Sequence, residues 1–158
     1  MSDRERGAST AADPATEIES VVPAVGAVVR DGGRVLVVRD RARGDWLVPT
    51  GRLEPGESVR EAVRREVREE ADVESRVDRL AGVYSDPSTQ VFEHRSGAVN
   101  HFVTTLAVCS VPDAAGPDPA PDGEETDRAR FVARGDLPEM DPVGDWVEAA
   151  LAGETVLR

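Results

Sequence analysis

Glu66, Glu69 and Glu70 stand at i, i+3 and i+4 within a run that reads Val-Arg-Glu-Ala-Val-Arg-Arg-Glu-Val-Arg-Glu-Glu-Ala from position 59 to 71. On a helix, residues at that spacing are surface neighbours. With about 100° per residue, and Val59 at zero, Val63 falls near +40°, Ala62 near −60°, Glu66 near −20°, Glu70 near +20° and Glu69 near −80°. Glu61, Arg64, Arg65 and Arg68 fall on the other side. An Arg/Glu-rich helix is ordinarily a solvated face held by ion pairs. Here Glu66 and Glu70 share the stripe of the valines, which is expected to face the core. A carboxylate on a buried stripe is unfavourable unless compensated, and two side by side repel. A divalent cation removes both difficulties, and hard oxygen donors suit Mg²⁺ or Mn²⁺ rather than zinc.

The elements that must position these carboxylates are written around them. Gly51, Pro55 and Gly56 are expected to lie in a tight loop. A helix is expected from Glu57 or Ser58 to about Asp72, opened by Ser58 with Glu61 at the capping-box spacing.

From Gly51 to Val73 the residues resemble the Nudix signature: a Gly, five residues, a Glu, seven residues, then Arg-Glu-aliphatic-any-Glu-Glu-any-Gly-aliphatic. Gly51, Glu57, Arg65, Glu66, Val67, Glu69, Glu70 and Val73 match it, and Asp72 stands where the family has Gly. Gly there would allow a left-handed helix cap, a conformation Asp tolerates nearly as well as Asn. The resemblance implies an α/β/α sandwich with a mixed sheet between helices. It implies a Mg²⁺-dependent (or Mn²⁺-dependent) hydrolase that cleaves the pyrophosphate bond of a nucleoside diphosphate derivative, either ADP-ribose-like or a nucleoside triphosphate. Glu66, Glu69 and Glu70 would hold the metal, with the Gly51 carbonyl a further ligand and Glu57 supporting the cluster through water. Arg65 would pair with Glu69 at i, i+4 and orient the array; a plain surface ion pair is the other reading. Glu66, deepest on the inward stripe, is the first choice for the base that deprotonates water. Glu125, on a loop before a strand carrying Phe131, is the second catalytic candidate, set against a solvated acidic loop. Trp46 lies in a Trp-x-x-Pro segment like the one that precedes the signature in the family, and Trp46 and Arg52 are the substrate-binding candidates. Trp46 could equally fill the core. Pro87 stands about where ADP-ribose-cleaving members tend to carry a proline, although a lone proline is ordinarily a turn. The alternative function is a catalytically silent Nudix domain that senses a nucleotide and regulates a partner. An isomerase or transferase on the same fold would want a catalytic cysteine, and Cys109 sits in an apolar run suited to a small buried residue.

The chain of 158 residues carries a formal net charge of −12, and all its basic residues are arginines. Such a surface opposes nucleic acid and anionic membranes, so the expected partner is a small nucleotide, with room left for a homodimer. No run reaches the length of a membrane span, and a cytoplasmic protein is expected. Acidity without lysine fits a salt-adapted protein whose self-repulsion is screened by ions. A GC-rich genome would explain the missing lysine but not the acidity. One cysteine excludes an internal disulfide.

In chain order, residues 1–20 are expected to be a disordered acidic tail and 21–158 a Nudix domain. Val21–Arg30 and Arg34–Arg39 should form a hairpin around Asp31-Gly32-Gly33. Trp46–Pro49 is a short strand, and Glu74–Tyr84 another. Ser88–Val99 is expected to be a polar loop over the site, carrying Phe92, His94 and Arg95. His101–Val111 is a strand, Pro112–Glu124 a flexible connection and Thr126–Ala133 a strand. Pro142–Ala152 is a helix whose apolar stripe is Val143, Trp146, Val147, Ala150 and Leu151.

Overall fold

Continuous β-branched runs suit strands covered on both faces. In the computed structural model, which describes residues 10–11, 17–94, 96–112 and 118–158, those runs form the middle of a mixed sheet. The strands are β1 (Thr10–Ala11), β2 (Ser20–Asp31), β3 (Arg34–Asp40), β4 (Trp46–Leu47), β5 (Thr50–Arg52), β6 (Arg76–Tyr84), β7 (Val91–Glu93), β8 (Val99–Ser110), β9 (Thr126–Ala133) and β10 (Val156–Leu157). The helices are α1 (Val59–Ala71), α2 (Pro87–Gln90) and α3 (Val143–Leu151), with a 3₁₀ turn at Arg134–Asp136.

β2 and β8 run parallel at the centre, paired from Ser20↔Asn100 to Arg30↔Ser110. β8 also pairs antiparallel with β7 at one end and β6 at the other. β2 turns through Gly32, at φ 59°, into β3, and its middle, from Ala24 to Gly26, pairs with β5. β9 lies along the outer side of β3, and β10 extends β6.

Alternation along the strands sends successive side chains to opposite faces. Val25, Ala27, Val29, Leu36 and Val38 pack under α1, against Val63 and Val67. Val28, Val35 and Val37 pack under α3, against Trp146, Val147 and Ala150. Each fully buried valine contributes about 1.5–3 kcal/mol by its removal from water. The α/β/α layering expected from the sequence is therefore present. No helix among the described residues is long and apolar enough to cross a membrane.

Several expectations change in detail. The segment read as a polar loop over 88–99 contains α2 and β7. Asp86 caps α2 by accepting from the Ser88 N–H at 2.9 Å, and Pro87 opens it, which is the ordinary place for a proline at a helix start. The strand β10 at the C-terminus was not expected, since two residues carry no periodicity. Of the expected N-terminal tail, Thr10–Ala11 pairs with Phe92 and Glu93; residues 1–9 and 12–16 lie outside the described residues, as do Arg95 and 113–117 of the proline-rich connection.

Candidate active site

α1 begins and ends as its sequence requires. The Ser58 side chain accepts from the Glu61 N–H, and the Glu61 side chain returns to the Ser58 N–H, completing the capping box. Asp72 takes the left-handed cap at φ 54° and ψ 39°, its N–H bonded to the Arg68 carbonyl, so the family's glycine is dispensable here. The inward stripe is Ala62, Val63, Glu66, Val67, Glu70 and Ala71. Val59, the first residue of the helix, differs from expectation: it is 39% exposed.

Glu66 is 6% exposed and Glu70 2%. β5 lies beneath both and meets them with its backbone. The Thr50 N–H donates to Glu70 Oε2 at 3.3 Å. At Gly51 a Cβ would come within 1.9 Å of Glu66 Oε1. The Arg52 carbonyl accepts from Arg65 Nη2 at 3.0 Å. The glycine is thus required by close approach: its missing side chain is the space the Glu66 carboxylate occupies.

Arg65 makes the expected pair with Glu69 and two further carboxylate contacts that the spacing did not indicate. Its long stem curls from the outer side of the helix back among the carboxylates. Its main partner is Glu57, held in a fork of Nε to Oε1 at 2.5 Å and Nη2 to Oε2 at 2.9 Å. Nη1 reaches Glu66 Oε1 at 2.6 Å and Glu69 Oε2 at 3.3 Å. The expected pair with Glu69 is therefore the longest of the three. The guanidinium holds the Glu57 carboxyl below the usual carboxylate range, and the hydrogen bond that Arg65 donates to Glu57 leads the causes that raise the Arg65 pKa. Among the described residues no three His, Cys, Asp or Glu side chains gather at metal-ligand spacing; the cation at the centre of the carboxylates is Arg65 itself.

On the opposite face of the sheet lies a cavity of about 230 Å³. Four of the chain's six aromatic residues line it: Trp46, Phe92, Phe102 and Trp146. Arg52, His94 and Asp141 also contribute to its wall. Strand alternation explains how β5 serves both faces. Gly51 is in register with Val25, which faces α1, so Arg52 points the other way, where its guanidinium lies 5.8 Å from the centre of the Phe102 ring. Trp46 is half-buried, lines the cavity and carries Arg130 stacked at 4.5 Å. It both fills core space and presents a surface to the cavity.

Glu125 stands apart from this cavity's lining. Its backbone is fixed by Asp122, which accepts from the N–H groups of Glu124, Glu125 and Thr126 at 2.8 to 3.0 Å. The next residue, Thr126, donates its hydroxyl to the Glu70 carbonyl at 2.9 Å, which ties this loop to the C-terminal end of α1. Cys109 is fully buried with its thiol pushed up to about 12 by desolvation, unsuited to nucleophilic work. Sequence reasoning took Trp146 as core alone and overlooked Phe102 and Asp141. Their convergence depends on the β7–β8 pairing and the placement of α3, and no local spacing encodes either.

The NUDIX domain family model matches residues 21–150. The chain therefore belongs to the Nudix family. A putative 8-oxo-dGTP diphosphatase of Bacillus subtilis is 31% identical over 111 residues, 70% of this chain and 65% of that protein. An ADP-ribose pyrophosphatase of Methanocaldococcus jannaschii is 27% identical over 120 residues, 74% of this chain and 64% of that protein. The chain thus spans slightly less than two thirds of each. The crystal structure of an ADP-ribose pyrophosphatase from Streptococcus suis superposes with a TM-score of 0.66 at 19% identity, covering 87% of this chain and 98% of that one, a likeness of fold.

Proposed function

We propose that this chain hydrolyses the pyrophosphate bond of a nucleoside diphosphate derivative with a divalent cation as cofactor. The observation that carries the reading is β5, whose Gly51 side meets the carboxylates of Glu66 and Glu70 and whose Arg52 side borders the aromatic cavity. A ligand with a planar ring at one end and an anionic chain at the other matches that pair of surfaces.

The donor types suit Mg²⁺ or Mn²⁺, with Glu66 and Glu69 gathered on the Arg65 guanidinium rather than at metal-ligand spacing. Glu66, Glu69 and Glu70 offer hard oxygens, the Gly51 backbone approaches the Glu66 carboxylate closely, and Arg65 within the cluster is an argument that these carboxylates accept positive charge. A cation bound there would neutralise charge on the phosphates and lower the pKa of water. The protein's own groups do the rest. Glu66, held against Gly51, takes the proton from the attacking water. Arg65 and Glu57, joined in their fork, fix the direction of the carboxylates. Trp46 stacks on the ring and Arg52 meets the anionic chain.

The relatives' names supply the two substrates to try first, ADP-ribose and 8-oxo-dGTP, both nucleoside pyrophosphates. The test is release of phosphate or nucleoside monophosphate with Mg²⁺ over a panel of ADP-ribose, nucleotide sugars, diadenosine polyphosphates and nucleoside triphosphates, oxidised ones included. Turnover of one member supports the reading. Tight binding of a member without any release would favour the nucleotide sensor instead.

A further inference from the structure

α3 supplies one wall of the cavity through Pro142, Val143 and Trp146, with Asp141 just before it, and its inner face packs on the sheet through Trp146, Val147 and Ala150. A helix of nine residues is marginal alone. Its N-cap is Pro142, with no side-chain cap, and no basic residue stands in its last turn. The missing cation comes from the sheet. Arg79 of β6 donates Nη2 to the Ala150 carbonyl at 2.5 Å and Nη1 to the Glu154 carbonyl at 3.2 Å, placing its charge at the negative end of the helix.

The residues that follow are stitched to the same strand. Val156 and Leu157 pair parallel with Gly82 and Val83, and the Arg158 N–H donates to the Val83 carbonyl at 3.0 Å. Gly82 permits this: a Cβ there would come 2.5 Å from the Val156 carbonyl oxygen and 3.1 Å from the Tyr84 ring. Tyr84, two residues on, stacks on Trp146 with centroids 4.3 Å apart and planes 20° apart. One strand, β6, thus grips α3 at its middle, at its end and beyond its end.

We propose that Arg79, together with the Gly82–Val156 stitch, is a positioning element for the substrate cavity: it fixes the C-terminal end of α3 so that Trp146 and the Asp141–Val143 segment keep the wall in place. The inference rests on the proposed nucleotide reading of the cavity. Arg79 touches neither the cavity nor the carboxylates of α1, so its loss should weaken substrate binding and spare the chemical step.

Both tryptophans of the chain line the cavity, so their fluorescence reports occupancy without turnover. Binding of ADP-ribose and 8-oxo-dGTP is titrated with Ca²⁺ in place of Mg²⁺, and kcat and KM are measured separately with Mg²⁺. Arg79→Ala is expected to raise Kd and KM about 3- to 10-fold, the scale of one cation at a helix terminus, with kcat at saturation unchanged. Arg79→Lys should recover most of the loss. Gly82→Ala should reproduce it, and decides the matter if Arg79→Ala does not fold. Wild-type Kd in the folded variants, or a fall in kcat at unchanged Kd, overturns the proposal. Absence of any nucleotide-induced fluorescence change in the wild type overturns instead the reading of the cavity on which it rests.

Discussion

The Glu66 carboxylate lies over the Cα of Gly51, in the volume a methyl group there would need; an added Cβ would stand 1.9 Å from Oε1 and 2.0 Å from Cδ. Gly51→Ala must therefore push Glu66 off β5 or bend β5 away from α1. A displacement of about 1 Å at a reacting group costs on the order of 10²-fold in rate. Gly51→Ala is expected to lose about that much kcat. Steady-state rates alongside a thermal melt check it, and a folded variant with near-normal kcat would count against Glu66 as a reacting group.

Metal dependence follows from the donor set. Activity is expected to require Mg²⁺ or Mn²⁺ and to vanish in excess EDTA, since the clustered donors are carboxylate oxygens. Glu70→Gln should lose at least as much as Glu69→Gln, because Glu70 is 2% exposed and accepts from the Thr50 N–H, whereas Glu69 is half-buried. Full turnover in EDTA, or near-normal rates in both variants, would leave the helix face as an ion-pair network only.

Much of this site was legible in the sequence because it is local. The capping box, the inward placement of Glu66 and Glu70, and the left-handed Asp72 each depend on residues within one or two turns. What was not legible depends on long side chains and distant pairing. Arg65 sits outward by the helical wheel, yet its stem is long enough to curl back to Glu57 and Glu66. The aromatic cavity needs Trp46, Phe92, Phe102 and Trp146 from separate strands and a helix. A two-residue strand such as β10 has no period to read at all.

The edge pair of Arg39 and Asp127 sets a prediction for acid. Arg39 donates Nε and Nη2 to the two Asp127 oxygens, each at 2.8 Å, and this holds the Asp127 carboxyl below its ordinary value. A folded pKa below the unfolded one, about 3.9 for Asp, stabilises the fold above that value and is lost as pH falls through the folded pKa. Asp127→Asn should lower the Tm near neutral pH, and the gap from wild type should close as pH falls through the lowered Asp127 pKa. A gap that stays constant with pH would assign the effect to packing rather than charge.

Salt should act in the opposite sense from its effect on a single ion pair. With a net charge of −12, screening of self-repulsion outweighs the weakening of exposed pairs such as Arg34–Asp31 and Arg68–Glu74. The Tm is expected to rise as KCl goes from millimolar to molar levels. An unchanged or lower Tm would leave genome composition as the account of the missing lysine.

The identity of the water-activating base separates two carboxylates by how they fail. Glu66 is held against Gly51 and bonded to Arg65, while Glu125 stands on the loop that Asp122 organises beside the end of α1. Loss of a metal ligand raises the metal concentration needed, and added Mn²⁺ recovers part of the rate. Loss of the base lowers kcat at saturating metal by about 10² to 10⁴, with substrate binding little changed. Glu66→Gln is expected to behave as loss of the base, and Glu125→Gln as a milder defect. Metal titrations of kcat for both variants distinguish the cases. If saturating Mn²⁺ restores Glu66→Gln while Glu125→Gln stays inactive, the roles are reversed: the loop before β9 carries the base, and Glu66 serves the metal alone.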